Sequence, residues 1–83
     1  MPVNFILYGK QDCHLCHEMK IQLERLIAMQ DCTYQVIKID GDPGMERLYG
    51  ARVPVLTAGD TELCNFKLDE SAVMAYLSKS SPN

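Results

Sequence analysis

Hydrophobic and polar positions divide the chain into seven stretches. Val3 to Tyr8 has an uninterrupted apolar centre, Phe5-Ile6-Leu7, which predicts a strand covered on both faces. Gly9 to Asp12 interrupts it, and Asp12 is the expected N-cap of a helix whose first turn holds Cys13 and His14. Along that helix Leu15, Met19, Leu23 and Leu26, joined by Ile27, recur at intervals of three or four and form one apolar stripe to pack on a sheet. Glu18, Lys20, Gln22, Glu24 and Arg25 make the solvated face. Thr33 to Ile39 returns to β-type composition, and a strand–helix–strand unit of this length is a right-handed crossover between parallel strands. The Asp40-Gly41-Asp42-Pro43-Gly44 loop leads into a helix of barely two turns, Met45 to Tyr49, closed by Gly50. Val53 to Ala58 and Thr61 to Phe66 flank Gly59-Asp60, a two-residue connection suited to an antiparallel hairpin. Asp69 then caps a last helix, Glu70 to Ser78, with Val73, Tyr76 and Leu77 on one side. The order β-α-β-α-β-β-α predicts an α/β sandwich with a mixed four-stranded sheet.

Composition narrows the picture. The 83 residues are expected to form one domain, 1–83, with a small core. Hydrophobic residues at 47% and charged residues at 23% are globular rather than disordered values. A net charge of −3 leaves no basic footprint for nucleic acid. No apolar run approaches the roughly 18 residues of a membrane span, so no membrane association is expected. Met1-Pro2-Val3-Asn4 has no charged leader, which makes the cytoplasm the expected compartment and reduced thiols the expected state of the four cysteines. A monomer is the expected form.

Candidate chemistry centres on Cys13-His14-Leu15-Cys16-His17. A thiol in the first helical turn lies near unpaired backbone N–H groups and the positive end of the helix dipole, both of which favour thiolate. Cys16, about one turn on, is within reach to resolve a mixed disulfide formed at Cys13. Lys10 and His14, with His17 behind them, would lower the Cys13 pKa, and Asp12 would oppose them. Two rival patterns share these residues. A zinc site would draw on Cys13, Cys16, His14 and His17, but ligands packed into five residues hardly close one tetrahedron, and Cys32 and Cys64 are isolated. Cys-x-x-Cys-His is also the pattern of covalent haem attachment, although the strand-rich surroundings do not suit it. Cys32 and Cys64 read as small buried hydrophobes, and Asp40 as a turn former. Arg52 reads equally as an anion-attracting group and as a surface solubiliser. Three function classes stay open: a dithiol–disulfide oxidoreductase, which is the expected one, a metal or iron–sulfur carrier, and a non-catalytic interaction module.

The stretch Tyr8-Gly9-Lys10-Gln11-Asp12-Cys13-His14-Leu15-Cys16, taken with Arg52-Val53-Pro54, resembles the thioredoxin superfamily and most closely its glutaredoxin branch. The resemblance covers nearly the whole chain and implies a thioredoxin-like, glutaredoxin-type α/β fold with Cys13 and Cys16 as the catalytic pair. It also implies that Lys10 meets a substrate carboxylate and that a cis Val53-Pro54 bond faces the disulfide. In the same way it implies that Val53 offers its backbone to the substrate, and that Asp69 or Glu70 meets the glutathione amino group. No tightly bound cofactor is implied. Glutathione is a candidate co-substrate, a disulfide-containing protein is the other candidate partner, and a reductase system would restore the dithiol. The chain departs from the glutaredoxin pattern in its clipped middle helix and in three further places. Cys64-Asn65-Phe66-Lys67-Leu68 stands where a Gly-Gly pair is usual, Gln11 replaces a proline, and Leu15 replaces an aromatic residue. These departures mark a divergent glutaredoxin-like subgroup and favour dithiol chemistry over glutathione.

Overall fold

The computed structural model describes residues 3–80, which run as β1 (Val3–Gly9), α1 (His14–Ile27), β2 (Cys32–Lys38), α2 (Pro43–Tyr49), β3 (Val55–Ala58), β4 (Thr61–Asn65) and α3 (Glu70–Ser80). All seven expected elements are present, displaced by no more than two residues at any end. The helix α2 begins earlier than the apolar pattern suggests, because Pro43 suits the first helical turn and Asp42 caps it, accepting the Met45 N–H at 3.1 Å.

The sheet order is β2-β1-β3-β4. β1 and β2 are parallel, with Leu7 opposite Val36 and Gly9 opposite Lys38. β3 runs antiparallel to β1, placing Val55 opposite Tyr8, and the β3–β4 hairpin carries an irregularity between Leu56 and Thr57. Strand alternation divides β1 between two faces. Phe5 and Leu7 join Met19, Leu23 and Ile27 of α1, Leu56 and Ala58 of β3 and Val73 of α3 in one buried cluster. Full burial of one such large apolar side chain stabilises the fold by about 1.5–3 kcal/mol. Tyr8 points the other way and stacks on Tyr49 of α2, with ring centroids 4.2 Å apart and planes at 16°. The sheet is therefore sandwiched, with α1 and α3 on one side and α2 on the other.

Leu15 departs from the expected stripe and is exposed. The first turn of α1 presents Cys16, not Leu15, to the end of β1, where a Cβ built on Gly9 would meet the Cys16 Sγ at 3.0 Å. Arg52 is committed to structure. It donates to both carboxylate oxygens of Glu62 at 2.5 Å and to the Leu48 carbonyl at 2.8 Å.

Candidate active site

The expected cap of α1 is corrected by one residue. Asp12 has φ 58, in the left-handed region, whereas an N-cap needs extended backbone. Cys13 has that backbone, at φ −103 and ψ 110, and is the cap itself. Its Sγ accepts the Cys16 N–H at 3.1 Å. Asp12 turns the chain from β1 into α1 and leaves its side chain exposed, so the sulfur takes the place at the helix N-terminus that a carboxylate was expected to fill.

Cys13 and Cys16 are joined as a disulfide with their Cα atoms 5.2 Å apart. The turn that presents them is fastened to the end of β2. Asp40 Oδ1 accepts the Gln11 N–H at 2.9 Å, and the Gly9 carbonyl accepts the Ile39 N–H at 2.9 Å. Asp40 is thus a turn residue, as its type suggested, but the turn it holds lies 29 positions earlier in the chain. Gly9 is needed for space rather than conformation, since Cys16 lies directly over it.

A cavity of about 700 Å³ opens beside the disulfide, and Lys10, His14 and His17 line it together with both cysteines. Lys10 Nζ lies 3.8 Å from Glu46 of α2, and His14 Nε2 lies 3.1 Å from Glu18 one helical turn on. Lys20 and Lys38 line the same cavity.

The remaining site candidates lie on the β3 side. The Val53-Pro54 bond is cis. Pro54 is buried immediately before Val55, the partner of Tyr8, so it falls at the same end of the sheet as the Cys13 turn. Its carbonyl accepts the Phe66 N–H at 2.9 Å. Phe66, in the stretch that replaces the usual glycine pair, has φ 63, a left-handed conformation glycine adopts freely, and exposes its ring. Asp69 caps α3, accepting the Ala72 N–H at 3.1 Å, and the exposed Glu70 opens the same helix. Lys10, His14 and the cysteines therefore share one cavity, and Val53, Pro54, Asp69 and Glu70 lie outside its lining.

Cys32 and Cys64 are half-buried against the core, and burial is the main cause raising both thiol pKa values, which suits small hydrophobes. Among the described residues no three His, Cys, Asp or Glu side chains are grouped to hold a metal ion. No helix there is long and apolar enough to cross a membrane. Reading the sequence missed Gly9, Lys20 and Lys38 as site residues. Gly9 alone had a local signal, as a glycine between a strand and a cysteine-bearing helix.

Residues 4–78 match the family model described as Glutaredoxin-like domain (DUF836). No curated protein matches the chain. Among solved structures, protein Ne2328 from Nitrosomonas europaea is 42% identical, with 92% of each chain covered and a TM-score of 0.83. Protein XcR50 from X. campestris is 30% identical over 93% of this chain and 99% of its own, with a TM-score of 0.67. The glutaredoxin-like protein NrdH-redoxin from Escherichia coli shares the fold at 23% identity, covering 96% of this chain and 97% of its own with a TM-score of 0.56. The sheet order, the disulfide at the start of α1 and these likenesses together make the fold thioredoxin-like, and the chain belongs to the glutaredoxin-like (DUF836) family, a divergent branch of the thioredoxin superfamily.

Proposed function

We propose that this protein is a dithiol–disulfide oxidoreductase in which Cys13 is the nucleophile and Cys16 the resolving thiol. The observation that carries the reading is the capping geometry: the Cys13 sulfur accepts a backbone N–H at the positive end of α1. In the reduced protein the same N–H and helix terminus stabilise a thiolate at that sulfur. The Cys13 thiolate attacks one sulfur of a substrate disulfide. A Cys13–substrate S–S bond forms, the substrate S–S bond breaks, and one substrate thiolate leaves. Cys16 then loses its proton to solvent and its thiolate attacks Cys13 Sγ, which closes the intramolecular disulfide and releases the second thiolate. Two electrons pass to the substrate, and the oxidised pair corresponds to the end of that half-reaction. A thiol reductant running the same exchange in reverse restores the dithiol.

In this reading Lys10 attracts a substrate carboxylate, His14 favours the Cys13 thiolate, and the Val53 backbone beside Pro54 pairs with the substrate main chain. Asp69 or Glu70 is the candidate contact for an amino group. The exposed Phe66 ring at the usual glycine pair, and the capping role of the Asp69 carboxylate, favour a disulfide-containing protein over glutathione as partner. A cytoplasmic setting, where reductase systems keep thiols reduced, fits this chemistry.

The test is single-turnover reduction of a small aromatic disulfide by the pre-reduced protein. Cys13→Ser is expected to abolish it, and Cys16→Ser to stop at a mixed disulfide visible in the intact mass. Retained turnover in Cys13→Ser would overturn the assignment of the nucleophile.

A further inference from the structure

The cavity beside the disulfide continues away from Pro54, toward the free edge of the sheet. β2 is an edge strand, and α1 leaves it only partly covered, so Val36 is exposed although its register partner Leu7 is buried. Between α1 and β2 this leaves a groove whose exposed apolar floor is Val36, with the buried Leu7 behind it, Lys20 on the helix wall and Lys38 on the strand wall. Cys13 and Lys20 are seven residues apart on one helix, two turns or about 10 Å, and this sets the length of the groove. Lys38 stands opposite Gly9, the residue on which Cys16 rests, so its ammonium-bearing wall begins at the disulfide.

The charge of the groove is opposite to that of the protein. The chain carries a formal −3, yet three lysines, Lys10, Lys20 and Lys38, line the cavity against one carboxylate, Asp12. Lys38 makes no ion pair among the described residues. Lys10 and Lys20 make only long, solvent-exposed pairs, at 3.8 Å to Glu46 and 3.9 Å to Glu24. Such pairs hold their partners weakly and exchange readily for another carboxylate. An apolar floor between cationic walls suits the methylene stem and carboxylate of Asp or Glu side chains on an extended chain.

We infer that this groove selects the substrate: it takes an acidic polypeptide segment next to the disulfide being reduced, with Lys20 and Lys38 as specificity-determining residues. The inference rests on the proposed disulfide chemistry for its biological sense, but the groove can be read without that chemistry. Electrostatic complementarity of this kind acts chiefly on encounter and register, so the preference is strongest at low ionic strength.

Two measurements separate the groove from the chemistry. In the first, a fluorescein-labelled peptide with Asp and Glu flanking a serine is titrated by anisotropy against the Cys13→Ser/Cys16→Ser protein, beside a matched peptide with Gln and Asn. The acidic peptide is expected to bind more tightly, to lose that advantage in 0.5 M NaCl, and to bind about 2- to 30-fold more weakly to the Lys20→Gln/Lys38→Gln form, the span for losing two exposed ion pairs. In the second, disulfide-linked versions of the two peptides are reduced by the otherwise unaltered dithiol protein, and the acidic-to-neutral rate ratio is expected to fall toward one in Lys20→Gln/Lys38→Gln. Equal binding of the two peptides, or a preference left undiminished by the double substitution, overturns the groove assignment even if both disulfides are reduced. Failure to reduce either peptide, with lysine-dependent acidic binding intact, overturns the oxidoreductase reading and leaves the groove standing.

Discussion

Substituting Gly9 by alanine tests how closely the end of β1 supports the redox pair. The new methyl carbon would lie 3.0 Å from Cys16 Sγ and 3.1 Å from its Cβ, against 3.4–4 Å for ordinary contact, so about 0.4 Å must be absorbed. Gly9 does not have a positive φ, so the backbone tolerates alanine and the penalty is steric alone. Overpacking one methyl group into a well-filled site costs about 1–3 kcal/mol. The two redox states bear that cost unequally. In the disulfide form Cys16 Sγ is tethered to Cys13 and cannot rotate away, whereas the reduced thiol can take another rotamer. If the whole penalty falls on the oxidised state, the two-electron midpoint potential rises by roughly 20–65 mV, making the pair easier to reduce. Equilibration in dithiothreitol buffers followed by acid quench and mass spectrometry reads the potential, and urea unfolding of both forms reads where the penalty falls. No loss of stability in either form would refute the placement of Cys16 over Gly9. A potential unchanged within about 5 mV, with equal losses in oxidised and reduced protein, would refute the relief of the clash by rotation of the reduced thiol.

Asp40→Ala removes the acceptor of the Gln11 N–H and should cost about 0.5–1.5 kcal/mol in urea unfolding, with faster hydrogen exchange at Gln11 and its neighbours. Unchanged exchange there would mean that the Gly9–Ile39 backbone bond holds the turn alone. Glu62 should make stability acid-sensitive, because the hydrogen bonds from Arg52, and then from Asn65, hold its carboxyl below the ordinary range. A depressed folded-state pKa adds stability above the unfolded value, about 4.3, and that stability is lost as pH falls through the folded pKa. Glu62→Gln should therefore narrow its stability gap from the parent protein as pH is lowered from 6 toward 2 (about the span below which all carboxylates are protonated), and a gap constant across that range would count against the pair.

Much of the fold was legible in the residues. The uninterrupted apolar centre of β1, the three-and-four spacing of Met19, Leu23 and Ile27, and Gly59-Asp60 between two short strands are local signals. Each local preference agreed with the global sheet, which is why seven elements were placed within two residues. The site was legible as far as neighbours in sequence could define it: Cys13 and Cys16 at the start of a helix, with Lys10 before them. The misplaced cap shows the boundary. Asp12 is the better capping type, but the turn out of β1 needed a left-handed residue there, and the cap passed to Cys13.

What the sequence by itself determined was the succession of strands and helices and the position of two thiols at a helix start, because periodicity, turn chemistry and capping act over a few residues. Tertiary structure alone decided which distant residues serve those thiols. Parallel pairing brought Lys38 opposite Gly9, the end of β2 brought Asp40 to Gln11, and antiparallel pairing brought Pro54 to the same end of the sheet. Strand register fixes such meetings, and register is set by the whole buried face of the sheet rather than by any segment read on its own.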